Sequence, residues 1–126
     1  MPIIPMVRCS NMMRSLKFYT EILDFKRIDG DEPPVDPCFS ALSREGEQIW
    51  LSSHAGDGEF GQALVVVTND VDALFEKLVG RGLIPEQFGG GSEVHQSPVD
   101  QTWGNREFYV DDPDGNTMRF TQVLSS

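Results

Sequence analysis

Residues 103–120, WGNREFYVDDPDGNTMRF, decide the fold of this chain. Two segments of alternating polarity, 106–111 and 116–123, flank the turn-forming residues 112–115, and this arrangement predicts a β-hairpin. One face of the hairpin is apolar and suits packing against a helix, whereas the other carries polar and aromatic side chains. The apolar face holds Phe108, Val110, Met118 and Phe120, and the opposite face holds Glu107, Tyr109, Thr117, Arg119 and Thr121.

The elements upstream of this hairpin occur in the same order twice. Residues 3–9 predict a strand, and Asn11 is a suitable N-cap for a helix over 12–23. A strand near 25–29 follows, and then strands 38–44 and 47–53, which are joined by a turn at 44–47. The pattern begins again with a strand at 63–68, apolar enough to be buried on both faces, and a helix capped by Asp70. An offset of 59 residues relates Asn11 to Asp70, and an offset of 69 relates Gly46 to Gly115.

This repeat predicts one α+β domain over residues 1–126, built from two paired βαβββ modules. Module 1 covers about 1–53, a glycine-rich linker covers 54–62, and module 2 covers about 63–126. Each half is too short to bury its own sheet, so the two must share a core. We expect the curved, mixed sheets to leave a groove between the modules in which a ligand binds.

Composition excludes several classes of function. Twenty acidic residues against ten basic ones give a formal net charge of −10, which disfavours nucleic acid and anionic membranes and favours cationic partners. No apolar run approaches the ~20 residues that cross a bilayer, and the N-terminal sequence lacks the features of a signal peptide. We therefore expect an acidic cytoplasmic protein, with Cys9 and Cys38 as reduced thiols.

His54 and His95 lie in polar or glycine-rich stretches and are predicted to face solvent.

Two motifs resemble a known family. Residues 103–108 (WGNREF) together with 112–116 (DPDGN) and Phe120 resemble the C-terminal signature of bleomycin-resistance proteins. Residues 14–23 (RSLKFYTEIL) are similar to the first helix of the wider vicinal-oxygen-chelate superfamily, which includes glyoxalases and dioxygenases. The resemblance spans essentially the whole chain, and it implies the glyoxalase/bleomycin resistance/dioxygenase fold.

Enzymes of that superfamily hold a divalent ion with one side chain from each of four strands. The corresponding positions in this chain are Ile4, Trp50, Ala63 and Arg119, none of which ligates a metal at neutral pH. The resemblance therefore implies neither a metal nor any other cofactor, and it favours a protein that is not an enzyme. A register slipped by one at Ala63 would bring in Gln62, but a single Gln does not make a metal site. A metal-dependent lyase or dioxygenase whose metal site lies at other positions stays open as an alternative.

The residues at the ligand face suggest what is bound. In the family, an aromatic residue of the third strand and the Trp of the Trp-Gly motif enclose a planar part of the drug, and Phe39 and Trp103 match them. The Ser that follows the fourth-strand aromatic lines the same pocket and corresponds to Ser52. The internal repeat instead pairs Phe39 with Phe108 on the helix side, unless a bulge near Pro37 reverses its direction. The candidate ligand-binding residues are Phe39, Trp50, Ser52, Trp103, Glu107, Tyr109 and Arg119.

The sequence thus predicts a binding protein for a planar, cationic small molecule. The resemblance implies a homodimer, in which the modules of two chains exchange or pair to close two symmetric grooves. The favoured function is sequestration of bleomycin-like glycopeptide antibiotics without turnover, with acidic residues of the 29–36 loop and Asp57 attracting the cationic part of the drug. A sensor for an unknown metabolite is a further alternative. No nucleic-acid or membrane partner is expected.

Overall fold

The first half of the chain forms a four-stranded mixed sheet. The computed structural model describes residues 1–88 and 91–124. Sheet 1 has the order β1-β4-β3-β2, and β1 lies parallel to β4 while the other neighbours are antiparallel. Its strands are β1 (Met6–Arg8), β2 (Lys26–Arg27), β3 (Phe39–Arg44) and β4 (Glu47–Ser52).

The second half repeats this arrangement in a separate sheet. Sheet 2 has the order β5-β8-β7-β6, and its parallel pair is β5 with β8. Its strands are β5 (Ala63–Val67), β6 (Val99–Asp100), β7 (Asn105–Asp111) and β8 (Thr117–Val123). Two four-stranded mixed sheets with few helices confirm the predicted α+β class. The short strand β6 lies in a stretch whose sequence carries no clear strand pattern.

Both predicted helix caps are confirmed. Helix α1 (Met12–Lys17) begins where the Asn11 side chain accepts the N–H of Arg14, and α2 (Val71–Gly80) begins where Asp70 accepts the N–H of Ala73. The predicted helix over 12–23 is not uniform, because Phe18–Ile22 is π-helical. This wider turn lets the adjacent residues Phe18 and Tyr19 both enter the core, at 7% and 0% exposure. A short helix, α3 (Glu93–Gln96), precedes β6. No helix in the described ranges is long and apolar enough to span a membrane.

The helix-facing sides of the two sheets share one hydrophobic core. The apolar face predicted for the last hairpin is part of it, since all four of its side chains are at most 4% exposed. Phe108 stacks on Phe120 and meets Phe75 of α2 edge-on. Sheet 1 contributes Val7, Leu42, Ile49 and Leu51, and the helices contribute Met12, Leu16, Tyr19, Val71, Leu74 and Leu78.

Phe39 points away from this core, so the repeat-based prediction that paired it with Phe108 is wrong. A two-residue turn separates Arg44 from its partner Glu47, whereas five residues separate Asp111 from Thr117. Strands β4 and β8 therefore keep the 69-residue offset. Strands β3 and β7 are instead related by an offset of 68 residues, so Phe39 corresponds to Glu107. A shift of one residue moves a side chain to the other face of a sheet. Turn length causes the reversal, and no bulge near Pro37 is involved.

Strand β5 departs from the prediction that both its faces are buried. Leu64 and Val66 pack against the core, but Val65 and Val67 are 60% and 67% exposed. The strand is an edge of sheet 2, and within the described part of the chain nothing covers its outer face. The sequence marks both faces as apolar, but the single chain buries only one of them.

A buried carboxylate links the last hairpin to the first helical segment. Asp112, at the start of the β7–β8 turn, accepts the Tyr19 hydroxyl at 2.8 Å and the Asn116 side-chain amide at 3.0 Å. Its other oxygen accepts the backbone N–H groups of Asp114 and Asn116. The predicted Asp-Pro-Asp-Gly-Asn turn is therefore a tertiary junction between the two halves of the chain.

Candidate functional site

The outer face of sheet 1, turned away from the core, carries an aromatic pair. Phe39 of β3 and Trp50 of β4 stack with ring centroids 5.8 Å apart and planes inclined by 16°. The Trp50 indole N–H donates to the Gln48 side chain at 3.2 Å, which fixes the ring in place. Phe39 is 54% exposed, so one of its faces stays open to solvent. We call Phe39 and Trp50 the aromatic face.

Ser52 lies on the same side of β4 but does not reach solvent. Its side chain is fully buried, because the segment after β4 folds over it. The hydroxyl donates to Asp57 at 2.8 Å and accepts the backbone N–H of His54 at 3.2 Å. Nearby, Arg8 lies over the ring of Phe60 at 4.3 Å. In this arrangement Ser52 supports the segment over 53–60 and is not itself open to a ligand.

The outer face of sheet 2 carries a polar network centred on Glu107. This carboxylate is only 2% exposed, and one of its oxygens accepts the Thr121 hydroxyl at 2.7 Å. The other oxygen accepts the Tyr109 hydroxyl and Nη2 of Arg119, both at 3.3 Å. Burial and the neighbouring Glu107 charge raise the pKa of Tyr109, so its phenol remains a donor at neutral pH. We call Glu107, Tyr109, Arg119 and Thr121 the polar face.

Helix α3 packs over part of this polar face, and the prediction that His95 faces solvent is wrong. The His95 side chain is 12% exposed, and its ring meets Tyr109 edge-on at 5.6 Å. Nε2 lies 3.2 Å from Asp111, and Nδ1 lies 2.8 Å from the Ser92 hydroxyl. Ser92 precedes the short helix, but its hydroxyl contacts the His95 ring and caps no backbone N–H, so the sequence offers no clear capping signal here. The docking of this helix on β7 is a long-range contact that the local sequence does not reveal.

Trp103 is a prominently exposed aromatic residue of the second half of the chain. It lies in the turn before β7, its side chain is 57% exposed, and the following Gly104 adopts a φ of 92°. The N–H of Gly104 donates to the Gln101 carbonyl, and its own carbonyl accepts the N–H of Leu124. The turn is therefore held at both sides while the indole projects outward. A large aromatic side chain in this position is available for contact with a ligand or a second protein chain.

The positions that hold a metal in related enzymes do not fit one here. Trp50 and Arg119 lie on the outer faces of their sheets, Ala63 begins β5, and Ile4 precedes β1. An indole, a methyl group and a butyl side chain supply no metal ligands, and the guanidinium of Arg119 repels a cation. In residues 1–88 and 91–124, no group of three or more His, Cys, Asp and Glu side chains is arranged to hold an ion.

Several of the acidic side chains expected to attract a cation are engaged within the chain. Asp29 accepts Arg27 and Ser40, and Asp36 accepts the N–H of Met12 at the start of α1. Asp31 and Glu32 are exposed. Arg27 therefore balances the charge of Asp29, whereas the hydrogen bond from Met12 leaves the charge of Asp36 in place.

A groove of about 430 Å³ lies between the edge strands of the two sheets. Its walls include the segment before β1, the β3–β4 turn and residues 64–67 of β5. None of the seven candidate ligand-binding residues lines it. The aromatic face and the polar face instead lie on the outer sides of two different sheets of one chain. The groove of a single chain therefore does not gather the candidate residues, and their grouping into one ligand site stays a prediction.

Comparisons with known proteins agree with this architecture. The family model described as Glyoxalase/Bleomycin resistance protein/Dioxygenase superfamily matches residues 4–120. No curated protein matches the chain in sequence. Among solved structures, a bleomycin resistance determinant encoded on the transposon Tn5 is similar with a TM-score of 0.72 and 19% identity, covering 98% of each chain.

Two further solved structures are similar in fold. The bleomycin-binding protein of bleomycin-producing Streptomyces verticillus, complexed with copper(II)-bleomycin, has a TM-score of 0.65 at 21% identity, over 97% of this chain and 95% of that one. TnmS3, an antibiotic binding protein from Streptomyces sp. CB03234, has a TM-score of 0.68 at 24% identity, over 95% and 93%. At these identities the likeness establishes the fold.

Proposed function

This chain belongs to the glyoxalase/bleomycin resistance protein/dioxygenase superfamily, and from that premise we propose that it is a non-catalytic binding protein. Its ligand is a planar, cationic small molecule of the bleomycin-like glycopeptide class, held stoichiometrically in the cytoplasm and released unchanged. Sequestration of such a molecule confers resistance on the cell. Proteins of similar fold that bind bleomycin or another antibiotic support this choice of ligand.

One observation carries the proposal: the ring of Phe39 is half-exposed and already stacked on Trp50. An exposed, rigid aromatic pair on a sheet face is suited to stacking against a flat ligand, which contributes ~0.5–1.5 kcal/mol beyond the burial of area. The net charge of −10 favours a cationic ligand at long range. Because the metal-ligand positions hold no donors, binding needs no ion of the protein's own.

We further propose that two copies of the chain complete the site. The aromatic face and the polar face lie on different sheets, so a ligand that uses both is enclosed when sheet 1 of one protomer faces sheet 2 of its partner. The exposed Val65, Val67 and Trp103 supply apolar area for such a contact. A symmetric homodimer then contains two equivalent sites.

Titration with copper(II)-bleomycin tests the proposed function. We expect saturable binding with one ligand per chain and micromolar or tighter affinity, because stacking and charge attraction act together. Calorimetry gives the stoichiometry, and a change in tryptophan fluorescence reports contact with Trp50 or Trp103. Trp103→Phe separates the two indoles. The absence of both heat and a fluorescence change at millimolar ligand would contradict the proposal.

Removal of the open aromatic ring is a second test. We expect Phe39→Ala to weaken binding of copper(II)-bleomycin by about 10-fold or more, because both stacking and buried area are lost. Phe60→Ala is the control, since Phe60 is also an exposed phenylalanine but contacts Arg8 and not Trp50. Equal affinities for the Phe39→Ala variant and the wild-type chain would exclude the aromatic face as the site.

A further inference from the structure

The polar face contains an arginine that is fixed in place and has donors to spare. We propose that Arg119 donates hydrogen bonds to an uncharged carbonyl-type oxygen of the ligand, such as that of an amide or carbamoyl group, and that Glu107 is the positioning residue for Arg119. This inference rests on the proposed function and names the chemical group that the polar face recognises.

Arg119 has the location that such a role requires. It lies in the middle of β8 on the outer face of sheet 2, opposite Tyr109 on one side and Val65 on the other. Its side chain is 34% exposed, so the guanidinium is partly open to the space next to the exposed Val65. A molecule lying on this face meets Arg119 directly.

Two neighbours immobilise the guanidinium. It lies over the Tyr109 ring, with Cζ 4.8 Å from the ring centroid, and its Nη2 contacts Glu107 at 3.3 Å. Tyr109 is itself held by Glu107 below and by the His95 ring at its edge. A donor that is already fixed loses little side-chain entropy when it binds.

The hydrogen-bonding capacity of Arg119 is mostly unused. Its guanidinium has five N–H donors, and within the described residues Glu107 is the acceptor for the one hydrogen bond it donates. Its Nε is buried and has no partner in those same residues. The side chain is 34% exposed, and its unused N–H groups other than Nε are the donors offered to a ligand that approaches from solvent.

The charges around Arg119 favour a neutral acceptor. Glu107 is buried against the guanidinium and compensates its charge. Asp111 lies on the same face of β7 and contacts His95 and Thr117. A ligand carboxylate or phosphate would be repelled by both Glu107 and Asp111 and attracted by Arg119 alone, in a chain whose net charge is −10. A carbonyl oxygen accepts the same hydrogen bonds without that repulsion.

Binding of copper(II)-bleomycin, whose glycopeptide body contains such carbonyl groups, to three variants tests the inference. We expect Arg119→Lys and Arg119→Met to weaken binding by about 10- to 100-fold, the range for hydrogen bonds to a charged donor. Because Arg119→Met leaves the buried Glu107 without a cation, the double variant Glu107→Gln/Arg119→Met removes both charges, and its thermal unfolding is measured beside its binding. Arg106→Met is the control, since Arg106 forms exposed ion pairs with Asp72 and Asp100 on the other side of β7.

Two further readouts separate this role from a structural one. Glu107→Gln should weaken binding when Arg119 is present but not in the Arg119→Met background. This dependence on Arg119 is expected if Glu107 acts only by positioning it. The loss caused by the double variant Glu107→Gln/Arg119→Met, which leaves the net charge of the chain unchanged, should be the same within about twofold at low and high salt, because a neutral acceptor leaves no ionic contact to be screened. A loss that shrinks several-fold in high salt would overturn the neutral-acceptor assignment.

The outcomes also distinguish this inference from the proposed function. If the wild-type chain binds copper(II)-bleomycin and the double variant binds it equally well, the role of Arg119 is disproved and the proposed function stands. If the wild-type chain does not bind, both are disproved.

Discussion

Replacement of Asp112 by alanine is expected to lower the free energy of unfolding by about 3–5 kcal/mol. The carboxylate is fully buried and accepts four hydrogen bonds, from Tyr19, from the Asn116 side chain and from two backbone N–H groups of the turn. Without it, the buried Tyr19 hydroxyl and the N–H of Asn116 lose their acceptor, as does the part-buried N–H of Asp114, while the Asn116 side chain keeps only the Arg8 carbonyl. Burial raises the pKa of Asp112, so the cost of desolvating the carboxylate offsets part of this gain. The net loss is therefore smaller than four separate bonds would give.

Urea denaturation at neutral pH measures this effect. Tyr19→Phe removes one of the four donors and should cost less, about 1–2 kcal/mol. Asp100→Ala is the control, because Asp100 is an exposed partner of Arg106 and such surface pairs contribute about 0–1 kcal/mol. An Asp112→Ala variant within 1 kcal/mol of the wild-type chain would show that the junction between the two halves is not a main source of stability.

Replacement of Val67 by glutamate is expected to weaken the proposed homodimer by at least about 100-fold, because it buries an unpaired carboxylate in an apolar contact. Val67 is 67% exposed in the single chain and lies with Val65 on the outer face of the edge strand β5. Since the proposed ligand site needs both protomers, affinity for copper(II)-bleomycin should fall in parallel with dimerisation.

Sedimentation velocity over a range of protein concentrations measures the association. Val79→Glu is the matched control, because Val79 is an exposed valine on α2, away from the outer face of sheet 2. It should sediment as the wild-type chain does. A wild-type chain that remains monomeric at high concentration, or a Val67→Glu variant that dimerises normally, would contradict the two-chain site.

Local chemistry made the types of element and their joints predictable. Asn11 and Asp70 were identified as helix caps because their side chains satisfy N–H groups only three residues away. The turn at 44–47 was predictable because Gly46 tolerates the positive φ that a two-residue hairpin turn requires, and the structure shows positive φ at both Glu45 and Gly46. The alternation in β7 and β8 correctly separated the core face from the polar face.

The location of the candidate site residues was less predictable. Ser52 was expected to line a pocket, but Asp57 covers it; His95 was expected in solvent, but it packs on Tyr109. Both outcomes depend on how a loop or a short helix lies across a sheet, which involves residues distant from the strand in question. A strand pattern specifies which side of the sheet a residue faces and leaves open what covers that side.

By itself, the sequence determined two repeated halves, their helix caps and turns, and the apolar face of the last hairpin. All of these depend on residue type or on neighbours a few positions apart. Only the tertiary structure decided that Phe39 points outward, that β5 leaves a valine face uncovered and that the aromatic and polar faces lie on separate sheets. These features depend on the lengths of turns and on which surfaces pack together across the core. Both involve residues far apart in the chain, so no local sequence pattern specifies them.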